Sequence, residues 1–197
     1  MPENPSILKI RVKSANCYFI DTGNGLLAFD AAWPETYTGY KDALKEQGRS
    51  VKQIKWLIVS HFHIDHAGLA GTLLDNGVTF VVFPNQLGAI DEMEALIARQ
   101  GTPYHPIDQS KLTVMEIADS RPWLASIGIA GEVLHTPGHG EQCISLLLDS
   151  GEAFIGDLVP DPLVAEEDVK SKESWALLRS KGAKHIFPAH APQFDLE

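Results

Sequence analysis

The sequence has few cysteines and no long apolar run. Its 197 residues include two cysteines, Cys17 and Cys143, and no CxxC pair. Two such distant cysteines do not make a disulfide framework. No apolar stretch approaches the roughly 20 residues of a membrane-spanning helix, and the opening MPENPSILKIRV lacks the regions of a signal peptide. The expected protein is therefore soluble and cytoplasmic, with no membrane partner.

Basic residues are also scarce. Lys and Arg number 16 against 26 Asp and Glu, so the formal net charge is −10. Nucleic-acid binding depends on clustered Lys and Arg, so this balance disfavours such a partner. The basic residues that gather from Lys170 to Lys184 are interrupted by Glu173 and by apolar residues, a pattern typical of a solvated helix face. A small-molecule substrate is the expected partner. The sequence does not indicate which oligomeric state the protein has.

The length and composition are those of an ordinary globular domain. Hydrophobic residues make up 44% of the chain and charged residues 21%. A single domain over residues 1–197 can bury a sizeable core without structural metals. Any metal site is therefore expected to perform chemistry rather than to hold the fold together.

Short apolar runs alternate with helical patterns along the chain, which predicts an α/β fold. The predicted strands are 7–12, 17–21, 26–31, 54–60, 78–83, 111–117, 127–135, 143–148, 153–155 and 185–187. The predicted helices are 34–47, 68–76, 85–100 and 173–180. A loop with two prolines is predicted at 101–107.

A dense group of metal-ligand residues follows the buried strand at 54–60. Within SHFHIDHAG, four potential ligands fall inside six residues: His61, His63, Asp65 and His66. Imidazole and carboxylate are donors that suit zinc, iron and manganese. Burying several such groups without partners would be costly, so a purely structural explanation is weak. The segment is interpreted as a metal site.

Three later segments each add one potential ligand at a strand end. His139 lies in TPGHG, Asp157 follows Gly156, and His190 lies in PAH. Functional groups of α/β folds collect at strand ends, where loops carry them. Each segment alone is weak evidence, but together with the first cluster they make a set of seven potential ligands.

The HxHxDH cluster, the TPGH turn, the GD pair and the PAH segment resemble the metallo-β-lactamase superfamily over most of the chain. The resemblance implies a four-layer αββα sandwich with two metals at one edge of the sheets. For the first metal it implies the ligands His61, His63 and His139. For the second metal it implies Asp65, His66 and His190. Asp157 would bridge the two.

Two close cations can share a water molecule and lower its pKa toward about 7. The expected reaction is therefore hydrolysis by a hydroxide bridging two divalent metal ions, with Asp65 orienting the nucleophile or accepting its proton. Zinc is the expected metal, and iron and manganese are alternatives. Loss of activity on chelation would support this hypothesis.

The expected substrate is a small ester, thioester or lactone. A lactamase role is disfavoured, because superfamily β-lactamases are usually exported and lack the bridging Asp, which this chain has as Asp157. Two alternatives stay open. One is an iron-dependent sulfur dioxygenase, and the other is a non-catalytic binding protein on the same fold.

Several further residues have two interpretations. Asp30 ends the strand in LLAFDAAW and either accepts a hydrogen bond from a ligand imidazole or caps the following helix. Tyr104 would reach a substrate if its loop folds over the site. His135 and His185 lie in apolar runs and are predicted to be packed, and Cys143 is predicted to be a buried thiol.

Overall fold

The structure is a computed structural model that describes residues 6–196, in two compact units that divide after Met115. Each unit contains its own mixed β-sheet with flanking helices. Among the described residues, no helix combines the length and apolar character needed to cross a membrane.

Unit 1 is built on a six-stranded sheet whose strands follow chain order. The strands are β1 (Ile7–Val12), β2 (Ala15–Asp21), β3 (Leu26–Phe29), β4 (Ile54–Ile58), β5 (Thr79–Val82) and β6 (Thr113–Val114). The first three pair antiparallel, and β3 to β6 pair in parallel. The interior strand β3 is buried at every position, as expected for a strand covered on both faces.

The helices of unit 1 are α1 (Tyr37–Glu46), α2 (Ile64–Ala67), α3 (Ala70–Asp75) and α4 (Leu87–Gln100). The prediction that the first helix starts at Pro34 is wrong, because Glu35 has φ 59° and a left-handed residue cannot belong to the helix. The end of α4 is as expected, since Gly101 adopts φ 64°, which glycine accepts at no steric cost.

Unit 2 contains a five-stranded sheet and two helices. The elements are α5 (Ser120–Ser126), β7 (Gly131–His135), β8 (Ile144–Leu148), β9 (Glu152–Gly156), α6 (Val169–Ser180), β10 (His185–Pro188) and β11 (Phe194–Asp195). The sheet order is β11-β10-β9-β8-β7, with one parallel pair between β9 and β10.

Two predicted strands are much shorter than expected. The strand at 111–117 is reduced to Thr113–Val114, because 3₁₀ turns occupy Gln109–Lys111 and Ile117–Asp119. The strand at 127–135 begins only at residue 131, because helix α5 extends to Ser126 and Gly128 then turns the chain with φ 92°.

Besides α1, three helices differ from the sequence-based expectation, and one of them is the four-residue helix α2, which was not predicted. Helix α5 was not predicted, because Pro122 masks its pattern, although a proline in the first turn is tolerated. Helix α6 begins four residues earlier than predicted, where the side chain of Asp168 accepts a hydrogen bond from the Ser171 amide.

Candidate metal centre

The ligand residues of unit 1 lie where β4 leaves the sheet and α2 begins. Backbone hydrogen bonds join this segment to the loop after β3. The Ala31 amide donates to the His66 carbonyl at 2.6 Å, and the Gly68 amide donates to the Ala32 carbonyl at 2.9 Å. Asp30 and Ala32 adopt the left-handed φ values 69° and 48°. The loop is thus folded sharply so that it holds α2 against the end of the sheet.

Three imidazoles meet in this segment. We call His61, His63 and His66, together with Asp65, the unit 1 cluster. The ring centroid of His61 lies 4.4 Å from that of His63 and 4.1 Å from that of His66. His61 and His66 are fully buried. One oxygen of Asp65 lies 3.8 Å from the Nε2 of His66. The adjacent residues of the motif therefore converge on one small volume.

Asp30 holds the orientation of His66. Its Oδ2 lies 2.9 Å from the Nδ1 of His66, and its Oδ1 accepts a hydrogen bond from the Ser60 amide at 2.7 Å. A carboxylate on Nδ1 keeps the proton there, so the Nε2 of His66 carries the lone pair that a metal needs. Of the two interpretations of Asp30, the contact with an imidazole is the one found.

Ser60 and Gln86 support the same cluster. The Ser60 hydroxyl donates to Asp30 at 3.1 Å, and its oxygen lies 3.0 Å from the Nδ1 of His61. The buried Gln86 amide donates to the Val59 carbonyl at 3.0 Å, so α4 is tied to the end of β4. Neither residue had been assigned a role from the sequence. Ser60 stands next to the motif, whereas Gln86 carries no local signal.

In unit 2, the TPGHG turn is held by helix α6. The Ser174 hydroxyl donates to the Pro137 carbonyl at 2.6 Å. Gly138 has φ 155°, and a Cβ built on it would lie 2.3 Å from the Ser171 Oγ. Only glycine can be accommodated this close to the Ser171 side chain, and His139 follows directly in the turn.

Asp157 lies between two imidazoles of unit 2. Its Oδ2 is 3.6 Å from the Nε2 of His139, and its Oδ1 is 3.3 Å from the Nε2 of His190. We call these three residues the unit 2 cluster. Two ligands bound at about 2.0–2.1 Å to a tetrahedral ion are themselves about 3.3 Å apart. Each carboxylate oxygen of Asp157 therefore lies about as far from an imidazole nitrogen as two ligands of the same ion lie from each other. The two oxygens face different imidazoles.

All seven predicted ligands therefore belong to His and Asp groups that can hold a metal ion. Carboxylate and imidazole together form a donor set for first-row divalent metals. The predicted residues fit a metal on the basis of their donor chemistry and their spacing within each unit.

Tyr104 packs partly buried against the core of unit 1. Burial raises the pKa of its hydroxyl well above the usual range, with the charge of Glu94 as a second cause. Its loop is fixed to the helices, because the Nε2 of His105 lies 2.7 Å from Asp75 at the end of α3. Tyr104 as a substrate contact stays a prediction.

Two other histidines differ from expectation. His135 and His185 are exposed rather than packed, because each lies at the end or start of its strand and contacts a polar group. The Nε2 of His135 lies 2.6 Å from the Glu141 carbonyl oxygen, and the Nδ1 of His185 lies 2.6 Å from Asp195. Cys143 is buried, as predicted.

The family model described as "Metallo-beta-lactamase superfamily" matches residues 10–190, which cover both units. The chain belongs to this superfamily. The predicted recognition and fold class are thereby confirmed, and the mixed sheets with flanking helices agree with the α/β sandwich of the superfamily.

A relative named glyoxylase B2, from Dictyostelium discoideum, is 29% identical over 134 residues. The match covers 64% of this chain and 43% of the relative. The chain thus spans less than half the length of this curated relative.

Two solved structures share the fold. The FEZ-1 metallo-beta-lactamase of Legionella gormanii has a TM-score of 0.71 and 18% identity, and the match covers 94% of this chain and 76% of that one. TTHA1623 in a di-iron-bound form has a TM-score of 0.70 and 18% identity, with coverage of 96% and 94%. At this identity the likeness concerns the fold alone.

Proposed function

We propose that this superfamily member is a dinuclear metal-dependent hydrolase in which the unit 1 and unit 2 clusters together form one centre. Neither cluster alone supplies enough ligands for two ions with an open position for a substrate. The family match across both units supports a joint centre.

The proposed ligands divide into two sets around one carboxylate. His61, His63 and His139 would hold one ion, and Asp65, His66 and His190 would hold the other. Asp157 would bridge them. The single observation that carries this proposal is that the two oxygens of Asp157 face the imidazoles of different sets, at 3.6 and 3.3 Å.

Two bound divalent cations would supply a water nucleophile at neutral pH and a Lewis acid for the substrate's acyl oxygen. The protein's own groups would orient the reaction. Asp65 is 15% exposed, so one of its carboxylate oxygens can accept the proton of the attacking water and return it to the leaving group. Asp30 and Ser60 would keep His66 and His61 in the tautomer that binds a metal.

The proposed substrate is a small ester, thioester or lactone. A relative whose name is glyoxylase B2 supports this class over phosphodiesters. The net charge of −10 argues against nucleic acid as a substrate. We further propose a single catalytic domain that acts in the cytoplasm.

The test combines elemental analysis with a panel of esters, thioesters, lactones and phosphodiesters. We expect two zinc ions per chain, turnover of one of the first three classes, and loss of turnover on chelation that zinc restores. Asp157→Ala should lose both metal and turnover, whereas Asp149→Ala, an exposed carboxylate paired with Arg121, should lose neither. Full turnover without metal would refute the proposal, and a metal-loaded protein without turnover would favour a binding role.

An iron-dependent sulfur dioxygenase is the second candidate. TTHA1623 shares the fold and was solved with two irons, so the fold accepts iron. Native protein containing iron, together with oxygen consumption in the presence of a sulfur substrate, would favour this candidate over the hydrolase.

A further inference from the structure

A groove with a volume of about 900 Å³ lies in unit 1 beside helix α1. Its floor is apolar and includes Val51, Ile54, Leu73 and Val78. Ile54 begins β4, whereas His61 follows the other end of the same strand. At about 3.3 Å per residue, the seven residue steps from Ile54 to His61 span up to about 23 Å. The groove is therefore separate from the unit 1 cluster.

The rim of the groove has a charge opposite to that of the chain. Four cations line it, and Asp42 is the carboxylate in the lining. The cations are Lys41, Lys45, Arg49 and Lys52. The chain as a whole carries a net charge of −10, so a basic groove does not follow from its composition.

These cations are not all explained by contacts inside the protein. Arg49 donates to Asp21 at 2.6 Å, and the Lys41 Nζ lies 5.6 Å from the Tyr37 ring centroid. Across residues 6–196, no carboxylate lies within ion-pair distance of Lys45 or Lys52.

The spacing of two of these lysines lowers the stability of helix α1. Lys41 and Lys45 are four residues apart on α1, where like charges repel and destabilise a helix by about 0.2–0.5 kcal/mol. Lys45 lies in the last turn, where the helix dipole favours a cation, but Lys41 does not. An anionic ligand would attract both ammonium groups and so offset this repulsion.

We propose that this groove binds an amphipathic organic anion at a site distinct from the metal centre. The acidic head group would lie against the ammonium groups of Lys45 and Lys52, and the apolar body would cover Val51, Leu73 and Val78. The volume is within the roughly 300–1,000 Å³ of small-molecule sites, and an apolar floor with a few charged groups is their usual chemistry. This site does not depend on the proposed hydrolase function.

Anilinonaphthalene sulfonate, an aromatic anion whose fluorescence rises in apolar surroundings, is the probe. We expect saturable one-site binding to the wild-type protein. The double variant Lys45→Gln, Lys52→Gln should bind about tenfold more weakly, which corresponds to about 1.4 kcal/mol. The matched control is Lys9→Gln, Lys172→Gln, which removes the same charge from exposed positions outside the groove and should bind as the wild type does.

Three results would overturn the proposal: no saturable binding to the wild type, unchanged binding in the groove variant, or equal weakening in both double variants. A competition arm tests the apolar part, since octyl phosphate should displace the probe at concentrations where inorganic phosphate does not. Equal displacement of the probe by octyl phosphate and by inorganic phosphate would show that the apolar floor does not contribute to binding. Metal content should be the same in all three proteins, so the outcome is independent of the metal centre.

Discussion

At the scale of single residues, the organisation of the unit 1 cluster depends on Asp30. This buried carboxylate has a left-handed backbone and contacts His66, the Ser60 amide and the Ser60 hydroxyl. Asp tolerates φ > 0 better than most residues and offers two acceptor oxygens, so its side chain and its backbone conformation are both suited to the position.

Asp30→Asn should weaken metal binding by about 10–100-fold, the usual effect of losing a partner behind a ligand imidazole. The Asn amide would face the Nδ1 of His66 with a donor, which favours the tautomer that protonates Nε2. Asn also tolerates the left-handed backbone, so folding should be retained. Competition with a fluorescent chelator measures the affinity.

The matched control is Asp119→Asn, an exposed carboxylate at the start of α5. Its metal affinity should equal that of the wild type. If Asp30→Asn also bound metal as the wild type does, the orienting role of Asp30 would be wrong.

At the scale of secondary-structure elements, each ligand segment is fixed by a neighbouring helix of its own unit. Helix α4 reaches the end of β4 through Gln86, and helix α6 holds the TPGHG turn through Ser171 and Ser174. The loops that carry ligands are thus supported by polar contacts from elements far away in sequence.

Gly138→Ala should lower the free energy of unfolding by about 1–3 kcal/mol, because its Cβ would lie 2.3 Å from the Ser171 Oγ and 3.2 Å from the Ser171 Cα, and because φ 155° is unfavourable for alanine. Metal content should fall as well, since His139 follows in the turn. Urea denaturation and elemental analysis measure the two effects. Gly88→Ala is the control, because no atom beyond its chain neighbours and its own helix backbone lies within 4 Å of its Cβ, and α4 gains a better helix former. Equal stability of the two variants would contradict the prediction.

Gln86→Met keeps the volume of the side chain but removes its amide. The Val59 carbonyl and the Phe83 amide would each lose a buried partner, so the free energy of unfolding should fall by about 1–3 kcal/mol. The exposed Gln100 at the end of α4 provides the comparison, and Gln100→Met should change stability by less than about 0.5 kcal/mol. A Gln86 variant as stable as the Gln100 variant would show that the contact is dispensable.

At the scale of the whole molecule, the proposed centre takes ligands from both units. Metal that binds only the folded chain stabilises it, by about 4 kcal/mol when free metal exceeds the dissociation constant 1,000-fold. Chelation should therefore lower the Tm of the wild type, as measured by scanning calorimetry. The Asp157→Ala variant should melt near the chelated wild type and should not respond to chelator. A wild-type Tm that is unchanged by chelation would argue against a bound metal.

The reactivity of the Cys17 thiol can be used to follow the unfolding of unit 1. It is fully buried, and burial, followed by the nearby Asp30 carboxylate, raises its pKa well above the usual range. In a Cys143→Ser background we expect no reaction with a thiol-specific disulfide reagent until unfolding, with the rate rising in parallel with the unfolded fraction. Rapid reaction of the native protein would show that this part of the core opens locally.

The sequence by itself determined the α/β class, most strands of both sheets and the seven candidate ligands. These follow from local order, because strand periodicity and the spacing of HxHxDH, TPGH, GD and PAH are properties of neighbouring residues. Strand ends were predicted less well, since the 3₁₀ turns and the left-handed Glu35 depend on details of the backbone.

Only the tertiary structure decided which side chains support the ligands. Asp30 and His66 are 36 residues apart, Gln86 and Val59 are 27 apart, and Ser174 and Pro137 are 37 apart. Such partners are chosen by packing between elements, which no local pattern encodes. The basic groove has the same origin, because α1 and the starts of β4 and β5 meet only in the fold.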